Sequence, residues 1–314
     1  MLKRLEQQAV RADLAAVDGL LGSRTEAEDP VGWLQFSRRK EMLEQQLSAP
    51  SEVSSSAAVG LFFAGRPVFG SRGIAAEFGA RAVEQFQAVV STKHATQEGP
   101  IGSRGPIPQR DRSKLMITEV ARGSFGFILE EAEGPQLVES PLRQTVDEVV
   151  DLIYRTAAPD EEAFEAFTEA VDNRVLGSLK GFFRLLDEAG ATVRIVEEQR
   201  EFTLARDAVE RARERTESLV IDEQERQIEG VLYLLPESRK FELHPVGGGE
   251  NIRGNVAPEC LREMAPEGAE IPPGIIGSVK RARLRMREVR GLSHAPRHSY
   301  TLVGIGDQTQ REST

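Results

Sequence analysis

The residues best suited to chemistry in this 314-residue chain lie between Val279 and Val289, which reads Val-Lys-Arg-Ala-Arg-Leu-Arg-Met-Arg-Glu-Val. Ala282, Leu284 and Met286 alternate with Arg281, Arg283, Arg285 and Arg287, and a period of two is that of a β-strand. The pattern predicts one apolar face in a core and four guanidinium groups on the other face. Guanidinium binds phosphate bidentately and stacks on bases, so Arg281, Arg283, Arg285 and Arg287 form a candidate polyanion site. The competing reading is structural: carboxylates on neighbouring strands, such as Glu242, neutralise the row. Rings able to stack bases are scarce nearby, since only Tyr233, Phe241 and Tyr300 are at hand and Phe241 is expected in the core.

A second candidate is the tetrapeptide Gly-Ser-Arg-Gly, present as Gly70, Ser71, Arg72, Gly73 and again as Gly102, Ser103, Arg104, Gly105. The first copy falls between a predicted strand and a predicted helix, where backbone N–H groups and the helix dipole favour anions. It lacks the Gly-Lys-Ser/Thr of a phosphate-binding P-loop, and ordinary turns account for both copies. Arg122 to Phe127, Arg-Gly-Ser-Phe-Gly-Phe, matches part of a kinase glycine loop. The strand lysine, His-Arg-Asp and Asp-Phe-Gly elements that a kinase needs are missing from the sequence, so a β-turn is expected.

Other chemistry-bearing residues lack companions. His294 and His298 are separated by Pro296 and share no helix face, while His94 and His244 stand apart. Without a paired histidine, neither Ser124 nor Cys260 reads as a nucleophile. Asp147 with Asp151, and Glu161 with Glu165, share helix faces and read as solvated flanks. No catalytic residue, metal or cofactor is therefore expected.

Composition sets the class. The hydrophobic and charged fractions, 39% and 29%, fit a globular chain, and no apolar run reaches the length of a membrane span. The start, Met-Leu-Lys-Arg-Leu-Glu-Gln-Gln, has no signal-peptide core, which makes the cytoplasm the expected compartment with no membrane partner. One cysteine, Cys260, excludes an intrachain disulfide. The net charge is −10, yet Lys280 to Arg297 holds seven basic residues against Glu288 alone. That asymmetry matters more than the sum.

The elements that must position these residues read as an α+β chain. Residues 1–48 form a helical hairpin, with Asp29 as N-cap and Pro30 in the first turn of its second helix. Leu2, Leu5, Ala9, Ala12, Ala16 and Leu20 make one stripe; Val10, Leu14, Val17 and Leu21 make another. So broad a face either packs on its own domain or drives self-association through Leu2, Leu5, Val10, Leu14, Val17 and Leu21, most simply as a dimer. Residues 49–58 are a linker by composition. Residues 59–200 are an α+β core. It is expected to contain a strand pair from Val59 to Phe69 bent at Gly65-Arg66-Pro67, and a hairpin from Leu115 to Glu130. A long helix is expected to run from near Pro159 to Leu186. Residues 201–217 are a charged bridging helix. Residues 218–306 give five strands, at Arg226–Leu235, Arg239–His244, Asn251–Val256, Ser278–Val289 and His298–Ile305, and suggest a small OB- or SH3-like β-barrel. Residues 307–314 are a tail.

The expected function is that of a non-enzymatic, modular interaction or regulatory protein that oligomerises and binds nucleic acid or an acidic protein partner through the arginine strand. Such a part would suit a bacterial stress or antiviral-defence system, a context to which no residue speaks. The alternative is an enzyme acting on a phosphorylated ligand held by the two Gly-Ser-Arg-Gly loops.

Overall fold

The computed structural model describes residues 2–48, 55–99, 101, 105–121, 125–132, 138–161, 164, 171–198, 200–235, 238–264, 276–290 and 297–306. The chain divides into two units, Met1–Thr216 and Glu217–Thr314. It is α+β, with one sheet in each unit.

In the first unit, β1 (Ala58–Gly65), β2 (Leu115–Ala121), β3 (Gly126–Glu131), β4 (Ala191–Val196) and β5 (Glu201–Leu204) form an antiparallel sheet of order β2-β3-β1-β4-β5. The central strand carries Val59, Leu61, Phe62 and Phe63, all buried, as befits a strand covered on both sides. Phe63 meets Phe78 edge to face at 5.4 Å, on the side where α3 (Ala76–Glu98), α4 (Pro141–Ala157) and α5 (Asn173–Ala189) pack. Successive side chains alternate, so Phe62 points to the opposite face. There Leu2 and Leu5, at the start of α1 (Lys3–Gly22), close over Phe62, Ile128 and Val196. Gly60 lets the chain approach, since a Cβ there would come within 3.3 Å of the Leu2 side chain and 2.8 Å of the Phe62 ring. α2 (Pro30–Ser48) folds back on α1, and Asp29 caps it by accepting the Gly32 N–H at 2.9 Å. Val17 and Leu43 are buried in the hairpin.

Two expected elements are different. The strand after the linker ends at Gly65, and beyond it Val68 and Ile74 make only an isolated bridge. The long helix is interrupted, because Asp172 turns its carboxylate back onto the Arg174 N–H at 2.7 Å and starts α5 afresh. A further difference is β5, a four-residue edge strand.

The charged helix α6 (Arg206–Ser218) is docked rather than bridging: Val209, Ala212, Arg215 and Thr216 are buried. Its arginines grip the C-terminal ends of two other helices. Arg211 donates twice to the Ala157 carbonyl, at 3.0 and 2.8 Å. Arg215 donates to the Thr156 carbonyl at 3.1 Å and to that of Ala158, pairs with Glu161, and lies 4.7 Å from the Phe164 ring centroid. Near the end of α5, buried Asp187 takes Arg206 at 2.9 Å and Arg213 as well. Cations here satisfy carbonyls that lack helical partners and meet the negative ends of the helix dipoles.

The second unit holds β6 (Val220–Leu235), β7 (Lys240–Pro245), β8 (Ile252–Val256), α7 (Pro258–Met264), β9 (Ser278–Arg290) and β10 (Arg297–Gly306). β6 pairs with β7 and β9, β7 with β8, and β9 with β10; β10 then pairs in parallel with β8 through Thr301–Asn255 and Leu302–Val256. Each strand thus has two neighbours. The core between them is Leu232, Leu234, Phe241, Leu243, Val256, Cys260, Ala282, Leu284 and Leu302. β6 starts six residues earlier than its apolar pattern suggests, and α7 was not expected at all.

Because Arg215 is buried and binds two carbonyls, Arg215→Met should destabilise the protein by about 2–4 kcal/mol in urea denaturation. Arg206→Ala, which removes a half-exposed guanidinium, should have a clearly smaller effect in the same measurement. Equal effects at the two positions would show that burial of Arg215 is not what fixes α6.

Candidate functional site

On β9, Ala282 and Leu284 are fully buried, as the alternation predicts, whereas Met286 is only half-buried. The arginines face the other way, but they do not share one environment. The β6–β9 register sets Glu229, Gln227, Glu225 and Glu223 opposite Arg281, Arg283, Arg285 and Arg287. On the other flank β10 offers Gly306, Gly304, Thr301 and Ser299. The arginines therefore run between an acidic row and a row of small residues. Arg287 is only 12% exposed and lies 3.9 Å from Glu223; Arg285 is 38% exposed and 3.6 Å from Glu225. Arg281 and Arg283 are exposed. Arg283 opposes the one neutral side chain of the facing row and lies along Gly304, where a Cβ would come within 2.9 Å of its guanidinium. Two arginines are thus presented outward, while the other two engage carboxylates. Those carboxylates come from the early part of β6 and not from Glu242. The available signal was Glu223, Glu225 and Glu229 at the same period of two as the arginines.

Glu242 is the centre of a different group, on the outer side of β7. Its Oε1 accepts from His244 Nε2 at 3.0 Å and from Asn251 Nδ2 and Arg253 Nη2 at 3.2 Å each. The Arg253 hydrogen bond first, and then that of His244, hold the Glu242 carboxyl below its usual range. His244 also lies against Tyr233, with ring centroids 5.1 Å apart and planes at 53°. It is therefore not isolated, as its place in the sequence suggested. Phe241 is in the core, as expected.

The first Gly-Ser-Arg-Gly copy is a self-closed turn. The Arg72 N–H bonds the Phe69 carbonyl at 3.0 Å and the Phe69 N–H bonds that of Gly73 at 2.8 Å, while Gly70 takes a left-handed φ of 55°. These N–H groups are spent on the loop itself. In the second copy Gly102, Ser103 and Arg104 lie outside the described residues, as does the Arg122–Ser124 turn; the Gly105 carbonyl accepts from Arg174 at 2.6 Å. Of the six hairpin residues, Leu2 and Val17 are buried within the chain, and Leu5, Val10, Leu14 and Leu21 are half-buried.

Of the carboxylates read as solvated flanks, Glu165 lies outside the described residues, and Asp147, Asp151 and Glu161 are engaged instead. Asp151 pairs with Arg155 at 2.6 Å and with Arg200, and Glu161 pairs with Arg215. Asp147 lies beside buried Glu197. Burial first, and then the hydrogen bond and charge of Glu197, push the Asp147 carboxyl up to about 7. Cys260 sits in the core of the second unit, where burial pushes its thiol up to about 11, so it packs as an apolar side chain. His94 is buried and pairs through Nδ1 with Thr145 at 3.0 Å, joining α3 to α4. No helix among the described residues is long and apolar enough to cross a membrane. Comparison with protein-family models, curated proteins and solved structures finds no match to this chain.

Asp147 gives stability a defined pH dependence. Its ordinary value is 3.8 and its folded value about 7, so between them the folded chain keeps a proton that the unfolded chain has lost. Stability should fall as pH rises through that window and level off above it. Asp147→Asn should remove this slope, raising Tm at pH 8 while leaving it nearly unchanged at pH 4. Parallel Tm-against-pH curves for the two proteins would refute the assignment.

Proposed function

We propose that this chain is a non-enzymatic interaction protein with a regulatory or scaffolding role, and that its second unit is a small OB-type β-barrel that binds a polyanion through Arg281 and Arg283. The ring of strand pairings supports the barrel reading. So do the parallel contact between its third and fifth strands and the helix α7 between its third and fourth, features that favour the OB over the SH3-like arrangement. The single observation behind the binding reading is the split within the arginine row: Arg285 and Arg287 engage Glu225 and Glu223, while Arg281 and Arg283 stay exposed, Arg283 opposite the neutral Gln227. Paired guanidinium groups hold strands together; exposed ones can meet phosphate or carboxylate. An enzyme for a phosphorylated ligand has less behind it, since in the Gly70–Gly73 turn the Arg72 N–H is spent on the Phe69 carbonyl.

Reversing Arg281 and Arg283 to Glu should lower Tm only slightly, through the one like-charge pair that Arg281→Glu makes with Glu229, since Arg283 faces the neutral Gln227. Polyanion binding should weaken strongly. If the ligand is single-stranded, the slope of log affinity on log salt should shrink by roughly 1.4 for two lost phosphate contacts. The same reversal at Arg285 and Arg287 should destabilise the unit, because it sets like charges against Glu223 and Glu225. Unchanged binding after the first reversal, with the fold intact, would refute the site.

Self-association through the hairpin is the second part of the proposal. With Leu2 and Val17 spent inside the chain, the large apolar side chains exposed among the described residues there are Leu20, Val31, Leu34 and Met42. Light scattering should show more than one subunit, and Leu34→Glu with Met42→Glu should yield a folded monomer. A wild-type monomer at tens of micromolar protein would rule it out.

A further inference from the structure

The outer surface of the second unit carries a second chemistry beside the exposed arginines. Tyr233 is flanked by buried Leu232 and Leu234, so the strand alternation turns its ring outward, where it is 43% exposed. Burial does not account for a ring there. The β6–β7 register sets Tyr233 opposite Glu242 and Val231 opposite His244, which brings the tyrosine and histidine rings into tilted contact at 5.1 Å. The position of His244 is fixed by its bond to Glu242, and Glu242 is in turn held by Asn251 and Arg253. This ring pair is therefore a held surface, not two loose side chains.

The neighbours of the rings extend the same surface. Val279 lies opposite Val231 on β9 and is exposed, as is Ile276 just before it. The Gly277 N–H bonds the Leu232 carbonyl at 2.8 Å, which holds that segment next to the tyrosine. Two residues along β9 from Val279 comes Arg281, and two further Arg283, each step roughly 6.5–7 Å. On the far side of the rings Arg253 has a side chain 75% exposed. The sequence of chemistry around the outer face is thus a guanidinium, two rings, a small apolar patch, and two guanidinium groups.

We infer that the polyanion is single-stranded nucleic acid, with bases stacked on Tyr233 and His244 and the backbone held by Arg281 and Arg283; this rests on the reading of the arginines as a polyanion site. Charge alone would suit any polyanion, but a polyanion without bases has no use for the rings. Glu229 and Glu242, which line the same path, oppose any polyanion, so contacts beyond charge have to come from the rings. A duplex buries its base faces, whereas a single strand offers every base to a ring.

The test compares a twenty-residue oligothymidylate, the same sequence annealed to its complement, and inorganic polyphosphate of similar charge, each titrated against the full chain by fluorescence anisotropy or competition. The single strand should bind more tightly than either other probe. Tyr233→Ala should weaken its binding by roughly 5–100-fold, the range that stacking of one base implies. The salt slope should stay unchanged, because no charge is lost. Polyphosphate binding should be unaffected, and Tyr233→Trp should restore the single strand, which a merely misfolded variant would not do. If oligothymidylate and polyphosphate bind alike, and Tyr233→Ala alters neither although Arg281→Glu with Arg283→Glu weakens both, the stacking platform is overturned while the polyanion site stands. If none of the probes binds, both readings fall together.

Discussion

The longest contact in the second unit is the antiparallel pairing of β6 with β9, thirteen opposed residues from Val220–Arg290 to Leu232–Ser278. That register decides which arginines are neutralised and which are presented. At its inner end Leu232 sits in the core with Ala282 and Leu284, and apolar burial holds the strands together. Toward its outer end the residues of β6 from Asp222 to Gln227 are all exposed. There the pairs Glu225–Arg285 and Glu223–Arg287 supply the side-chain contribution that burial cannot. A slip of one residue would turn Arg281 to Arg287 toward the core and Leu284 toward water, so the apolar positions fix the register and the acidic row follows it.

The first unit uses charge for a different structural purpose. Helices α4 and α5 end without enough helical partners for their last carbonyls, and α6 supplies Arg206, Arg211, Arg213 and Arg215 to those ends. The guanidinium fork suits this task because one side chain can reach several acceptors at once, as Arg215 does with Thr156, Ala158 and Glu161. Only Arg215 has its own solvation fully removed, so the cost of leaving carbonyls unpaired concentrates there. In both units arginine serves mainly as a structural cation, and it is the departure from that use at Arg281 and Arg283 that makes those two residues notable.

Much of this was legible in the sequence, for reasons that differ by element. The helical hairpin, its Asp29 cap, the Leu115–Glu130 hairpin and the alternation of β9 were readable because local periodicity and local hydrogen bonds produce them. The early part of β6 was not readable, since Asp-Glu-Gln-Glu-Arg-Gln has no apolar alternation and becomes a strand only through its partner. The docking of α6 escaped for a similar reason: its anchoring runs largely through polar contacts to carbonyls remote in sequence. Asp172 marked a helix start, but the apolar spacing through Phe164, Phe167 and Val171 concealed the break. The meeting of Tyr233 with His244 depends on cross-strand register, which no single strand's pattern contains.

The charge balance gives the exposed arginines a further meaning. At −10 overall, with acidic side chains lining the same outer face, the protein does not attract polyanions at long range. At physiological salt, however, repulsion between exposed charges fades beyond about 8 Å. A ligand that reaches Arg281 and Arg283 then meets bidentate donors among carboxylates of which Glu225 is committed to Arg285, Glu223 to Arg287, and Glu242 to His244, Asn251 and Arg253, while Glu229 stays opposite Arg281. Affinity at such a place has to come from short-range geometry, because the field of the whole molecule works against it. An acidic surround therefore disfavours non-specific polyanion coating and leaves binding to ligands that also gain contacts other than charge.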